Sequence, residues 1–308
     1  MNQLSKAGLS GSLVALITPM NPNGDINFED LDKLVNYHIN NQTNGLVVLG
    51  TTGENPTVNI QERKAIISRV LKQVNHRIPV IIGTGHNCTR ETITLTQQAE
   101  ELGADGALVV TPYYNKPSQK GLIAHYKTVV SNTSLPIILY NVPGRTACDL
   151  QPETVAELAS NPKIIGLKEA VSSPERIEQL VYVCPKDPKD FALLSGDDET
   201  FVDFLEAGGH GVISVTANIA PKEISEICRQ AKLRNWAQCQ ELNKKLANLH
   251  QSLFLSANPV PVKWALYYLN LITSPDCRLP LLSLESKFQT RLITALQESG
   301  ILTTQKAI

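Results

Sequence analysis

A lysine closes one of the apolar runs of the chain: Lys168 follows Lys163-Ile164-Ile165-Gly166-Leu167. An amine at the end of a buried strand has apolar neighbours, and desolvation disfavours its charged form. With a free pKa of about 10.4, only about one lysine in a few thousand is neutral at pH 7; lowered to roughly 7–8, the amine becomes an abundant nucleophile toward a carbonyl. The same placement suits a lysine that guards a strand end or pairs with Glu169, because ion pairs perturb lysines as well. Two further features fit an amine working on a 2-keto acid. The run Gly50-Thr51-Thr52-Gly53 offers backbone N–H groups and hydroxyls to a carboxylate, although a glycine turn capped by its own threonines accounts for it equally. It lacks the Lys-Ser/Thr ending of a P-loop, and no G-x-G-x-x-G comes after it. Tyr140 ends another apolar run with a hydroxyl that both donates and accepts; a buried tyrosine with one satisfied hydrogen bond is the plainer account.

Positioning these groups requires a scaffold that collects strand ends. Eight short apolar runs stand at intervals of a few tens of residues: Leu13–Ile17, Gly45–Leu49, Pro79–Ile82, Gly106–Val110, Pro136–Tyr140, Lys163–Leu167, Phe191–Leu194 and Gly211–Val215. Each is continuous rather than alternating, as strands covered on both faces must be. Amphipathic stretches separate them. Asn27 caps a stripe of Phe28, Leu31, Leu34, Val35 and His38; Asn59 with Glu62 forms a capping box, and Ser173-Pro174 starts another helix. The pattern predicts an α/β fold, a (β/α)8 TIM barrel over residues 1–225, whose chemistry belongs at the C-terminal strand ends. From 226 to 308 the segments Trp236–Leu255, Pro261–Leu269 and Leu284–Leu296 read as a C-terminal helical extension packed on the barrel.

Composition excludes several classes of partner. The chain has 308 residues, 42% hydrophobic and 19% charged, with a formal net charge of −1 and no basic block, so neither nucleic acid nor an anionic membrane is expected. No run of some 18 apolar residues occurs, and the N-terminus lacks the apolar core of an export signal. The six cysteines form no C-x-x-C pair and read as free thiols. A cytoplasmic protein with a small, uncharged or anionic substrate fits these features.

Five motifs carry a resemblance. Gly50-Thr51-Thr52-Gly53-Glu54, Thr111-Pro112-Tyr113-Tyr114-Asn115-Lys116-Pro117-Ser118, Tyr140-Asn141-Val142-Pro143-Gly144-Arg145-Thr146, Ile165-Gly166-Leu167-Lys168-Glu169-Ala170 and Ser195-Gly196-Asp197-Asp198 resemble, in order and over nearly the whole chain, the motif set of the dihydrodipicolinate synthase family. The resemblance implies a lyase of lysine and diaminopimelate biosynthesis, condensing pyruvate with L-aspartate 4-semialdehyde. It implies Lys168 as the Schiff-base lysine, Tyr140 as proton donor and acceptor, and Thr51 with Tyr114 as a hydroxyl relay. In the family that second tyrosine reaches in from a neighbouring subunit, so the resemblance implies a homo-oligomer, a dimer of dimers. Thr52 and Ile213 would bind pyruvate, and Arg145 the carboxylate of the second substrate, a role that suits a planar fork of donors.

No metal or organic cofactor is implied, because the protonated imine is itself the electron sink. Asn87 and Glu91 match the family's lysine-feedback site. Arg63, however, stands where feedback-sensitive relatives often carry histidine, and a permanent cation repels the ammonium of lysine; weak inhibition by lysine is expected. The motif after Glu54 also departs from the usual small residues, with Asn55-Pro56 stiffening the turn. N-acetylneuraminate lyase and 2-keto-3-deoxy-sugar acid aldolases share the Lys168 and Tyr140 arrangement, but Arg145 and the Tyr113-Tyr114 pair set this chain apart from them. A barrel that binds a keto acid without turning it over is the remaining alternative, since fold alone does not establish function.

Overall fold

The computed structural model describes residue 4, residues 9–185 and residues 191–302. Eight strands, β1 (Gly11–Ala15), β2 (Gly45–Val48), β3 (Val80–Gly83), β4 (Gly106–Val110), β5 (Ile137–Asn141), β6 (Ile164–Glu169), β7 (Ala192–Ser195) and β8 (Gly211–Ser214), pair in chain order. All pairs are parallel, and β8 returns to β1 to close a (β/α)8 barrel. Every expected apolar run overlaps a strand. The ends differ: β1 stops at Ala15, whereas β5 and β6 continue through Asn141 and Glu169, which stay in register with each other.

Successive residues face opposite sides of a strand, and both sides here are apolar. Leu13, Val47, Ile81, Leu108, Ile138, Leu194 and Ile213 fill the barrel interior. Val14, Leu46, Val48, Ile82, Leu139 and Leu193 pack outward against helices. Two buried faces explain the continuous runs.

The surrounding helices are α1 (Phe28–Asn40), α2 (Ile60–Val74), α3 (Thr89–Glu101), α4 (Gln119–Ser131), the single turn α5 (Pro143–Thr146), α6 (Pro152–Ala159), α7 (Pro174–Val183) and α8 (Phe201–Glu206). Their starts obey capping chemistry. Asn27 accepts from the Asp30 N–H, Asn59 and Glu62 complete a capping box, and Ser173 accepts from the Arg176 N–H ahead of Pro174. After β8 come α9 (Pro221–Lys232), α10 (Trp236–Ser252), α11 (Val260–Tyr268) and α12 (Ser286–Glu298). Helix α9 runs through residue 225 and packs against β1, with α10 against α9 and α12. Side chains tie this C-terminal region to the barrel: Asp30 accepts from Thr273, and Arg278 pairs with Glu62. No described helix is long and apolar enough to cross a membrane.

Candidate active site

Lys168 owes its direction to an irregularity in β6. Ile164 packs outward and Ile165 inward, so unbroken alternation would turn Lys168 outward. Instead the register shifts between Ile137 and Ile138, which face Ile164 and Gly166 respectively. One extra residue on β6 re-aims the side chains beyond it. Leu167 now packs with the helices, and Lys168, 6% exposed, lies across from Tyr140 with its Nζ 4.5 Å from the ring centroid. Two glycines make room. A Cβ at Gly166 would come 2.7 Å from the Ala192 carbonyl oxygen, and one at Gly196 would lie 3.0 Å from Lys168 Cε.

The turn after β2 bears the two threonines. Within it, Gly53 N–H and Asn55 N–H donate to the Gly50 carbonyl, and Glu54 N–H donates to that of Thr51. Thr18 donates to the Gly53 carbonyl at 2.7 Å. Asn55–Thr57 forms a short 3₁₀ turn with Pro56 at its start, as the stiffening proline suggests. Thr52 is buried, and its Oγ1 accepts from Asn258 Nδ2 at 3.0 Å. Glu54, buried and at φ 55°, accepts from Lys263 Nζ at 2.7 Å and from the Arg278 N–H at 2.9 Å.

A cavity of about 350 Å³ opens where β2 to β5 end. Thr51, Tyr140 and Arg145 line it, with Leu108, Val110 and Tyr113. Arg145 stands on α5 and, among the described residues, has no carboxylate partner. Its turn is anchored by Thr146, whose Oγ1 donates to the Val142 and Cys148 carbonyls and accepts from Thr111. Ile213 is buried in the barrel interior with Tyr140. Tyr114 does not join the others: it is 88% exposed and off the cavity lining, at a strained φ of 75°. Among the described residues no hydrogen bond links Thr51 to Tyr140, so the relay is not assembled within one chain.

Charged groups around the site are braced by backbone and amides. Glu169, next to Lys168 but facing out, is pushed up to about 7 by burial, against the Val171 N–H and Asn141 amide that favour its charge; Arg176 Nη1 lies 3.4 Å away. Arg63 is buried with no carboxylate partner among the described residues, and desolvation lowers it to about 10. Its Nη2 donates to the Gly83 carbonyl at 2.8 Å, and Nη1 reaches Asn55 Oδ1. Asn87 is half-buried, its carbonyl accepting from Asn115, and Glu91 is exposed in the first turn of α3.

The model of the dihydrodipicolinate synthetase family matches residues 8–299. The chain belongs to that family. A 4-hydroxy-tetrahydrodipicolinate synthase of Pseudoalteromonas atlantica is 48% identical over 95% of this chain and 99% of its own, and one of Coxiella burnetii is 50% identical with the same coverage. Among solved structures, the dihydrodipicolinate synthase of Acinetobacter baumannii, described as chloride inhibited and complexed with pyruvate, superposes with a TM-score of 0.92 at 46% identity over 96% of this chain and 100% of that one. The family enzyme of Thermotoga maritima gives 0.93 at 44% identity, covering 95% and 99%.

The extension's part in the site was not expected from the sequence. Ala257, Asn258, Pro280 and Leu281 line the cavity, and Lys263 reaches Glu54 across 209 positions. One signal was present: Lys263 is a lone cation in the apolar stretch Val260–Leu266, and such a residue needs a partner.

Proposed function

We propose that this chain condenses pyruvate with L-aspartate 4-semialdehyde to give 4-hydroxy-tetrahydrodipicolinate, through a Schiff base on Lys168. The observation that carries the reading is the amine of Lys168 beside the ring of Tyr140, which lines a cavity together with Thr51 and Arg145. Residues 1–225 form the barrel in this reading and 226–308 its extension.

The amine adds to the pyruvate ketone, and the carbinolamine loses water to leave a protonated imine. Tyr140 transfers the protons, and the N–H groups and hydroxyls of Thr51 and Thr52 hold the keto-acid carboxylate with Ile213 against its carbon skeleton. The iminium makes the methyl group acidic; loss of a proton yields an enamine, whose carbon attacks the aldehyde. Attack of the second substrate's own amine on the imine carbon closes the ring and releases Lys168. Arg145 orients that substrate by its carboxylate.

Tyr114, exposed on its own chain, completes the hydroxyl relay in a neighbouring copy, which makes the enzyme a homo-oligomer, a dimer of dimers. Asn87 and Glu91 correspond to an effector site, and the buried cation of Arg63 keeps its response to lysine weak. The six free thiols suit the reducing cytoplasm.

Borohydride reduction in the presence of pyruvate, then peptide mass spectrometry, should leave a pyruvate-derived adduct on Lys168. Arg145→Ala should raise the KM for the semialdehyde by about 10- to 100-fold while pyruvate trapping is retained. No adduct in the parent chain, or equal loss of both activities in the variant, counts against the reading.

A further inference from the structure

The internal hydrogen bonds of the Gly50–Glu54 turn close only on Gly50 and Thr51; Thr18 and Thr57 hold the Gly53 and Glu54 carbonyls, and the side chains of Thr52 and Glu54 are fastened from the far end of the chain. Lys263 Nζ donates to Glu54 Oε1 at 2.7 Å, with side-chain exposures of 0% and 1%. The Arg278 N–H takes the other carboxylate oxygen at 2.9 Å, and Asn258 Nδ2 donates to Thr52 Oγ1 at 3.0 Å. Glu54 is held at φ 55°, where a residue with a Cβ stays only if its surroundings hold it. A buried ion pair is often replaceable by well-packed apolar groups without loss of stability, so the more distinctive contribution of such a pair is registry. Here the registry fixed is that of the Thr51–Thr52 turn, whose Thr51 lines the cavity.

We infer that Lys263 and Asn258 are positioning residues for the keto-acid carboxylate: the C-terminal extension sets the geometry of the Thr51–Thr52 turn through Glu54 and Thr52. Neither acts on the reacting atoms. The inference rests on the pyruvate reading of this site and adds to it a division of labour, because Arg145 is fastened through Thr146 and Val142, independently of the extension.

Lys263→Met and Asn258→Ala, made in the full chain, test it by steady-state kinetics with each substrate varied and by borohydride trapping against pyruvate concentration. Lys263→Met should raise the pyruvate KM and the half-saturation of trapping by about tenfold or more, and Asn258→Ala by about fivefold. The KM for the semialdehyde should stay within about twofold, and saturating pyruvate should still label Lys168 fully. A merely structural pair predicts instead a lower kcat that tracks the folded fraction, with pyruvate half-saturation unchanged; that result overturns the inference. Should Lys263→Met fail to fold, Asn258→Ala, which keeps the buried pair, decides by the same shift or its absence. Lack of an adduct in the parent chain overturns the functional reading and this inference together, whereas a labelled parent with unshifted variants overturns this inference alone.

Discussion

On one side of the cavity the reactive groups ride on strands; on the other they ride on a turn. Lys168 and Tyr140 are held by the β5–β6 ladder, where each is in register with the other, and by the barrel packing below them. Thr51 and Thr52 have no such ladder. Their turn is secured by side chains from more than 200 residues away, Asn258 and Lys263. A strand positions a residue through backbone hydrogen bonds that any sequence can make, provided its alternation is right. A turn depends on particular side chains, so its geometry is more easily lost by a single substitution outside the site.

The largest expected effect lies on the strand side. Lys168→Ala should abolish the borohydride adduct and lower turnover by at least about 10³-fold, with the circular dichroism spectrum unchanged. Residual labelling elsewhere at the parent level would mean that another amine does the chemistry. Next in size is the turn side. Lys263→Met leaves Glu54 buried without its cation, and urea denaturation should show a loss of about 3–5 kcal/mol. Lys245→Ala, which breaks a pair whose partners are 58% and 62% exposed, should change stability by no more than about 0.5 kcal/mol. Equal effects would erase the distinction between the buried clamp and an ordinary surface pair.

A third test concerns the outer face of β6. Burial raises Glu169 from 4.5 to about 7. Below pH 4.5 the carboxyl is protonated in both folded and unfolded chains; above it the unfolded chain gives up its proton first. The folded state therefore loses stability as pH rises from about 4.5, and the loss is complete above about 7. Relative to the parent, Glu169→Gln should gain on the order of a few kcal/mol between pH 4.5 and pH 8 in urea titrations. A flat difference would mean that Asn141 and Arg176 keep the carboxylate charged. A fourth test returns to the strand side: Gly196→Ala adds a methyl that would crowd Lys168 Cε and the Glu169 carbonyl. The rate of imine formation should fall by about 10- to 100-fold with the fold intact; an unaltered rate would show that Lys168 has freedom the packing denies it.

Much of this was legible in the residues. Apolar runs covered on two faces announced a barrel, and Asn27, Asn59 with Glu62, and Ser173-Pro174 marked helix starts that are present. These are local signals, set by a few neighbouring residues. Lys168 stood out because a cation at the end of an apolar strand is unusual. Tyr114 was legible only by resemblance: on its own chain it is exposed and away from the cavity. The extension could be read as helical but not as a wall of the site, because no local pattern tells Lys263 that its partner is Glu54.

The order of amino acids by itself determined the elements, their sequence and the chemical character of the strand ends, since hydrophobic periodicity and capping act over a few residues. Only the tertiary structure decided which way the key amine points. Alternation counted from Ile165 sends Lys168 outward, and the register shift opposite Ile138 turns it back toward Tyr140. Such a shift is a property of two strands aligned in a closed barrel, as the Glu54–Lys263 pair is a property of two distant segments packed together, and neither exists until the chain has folded.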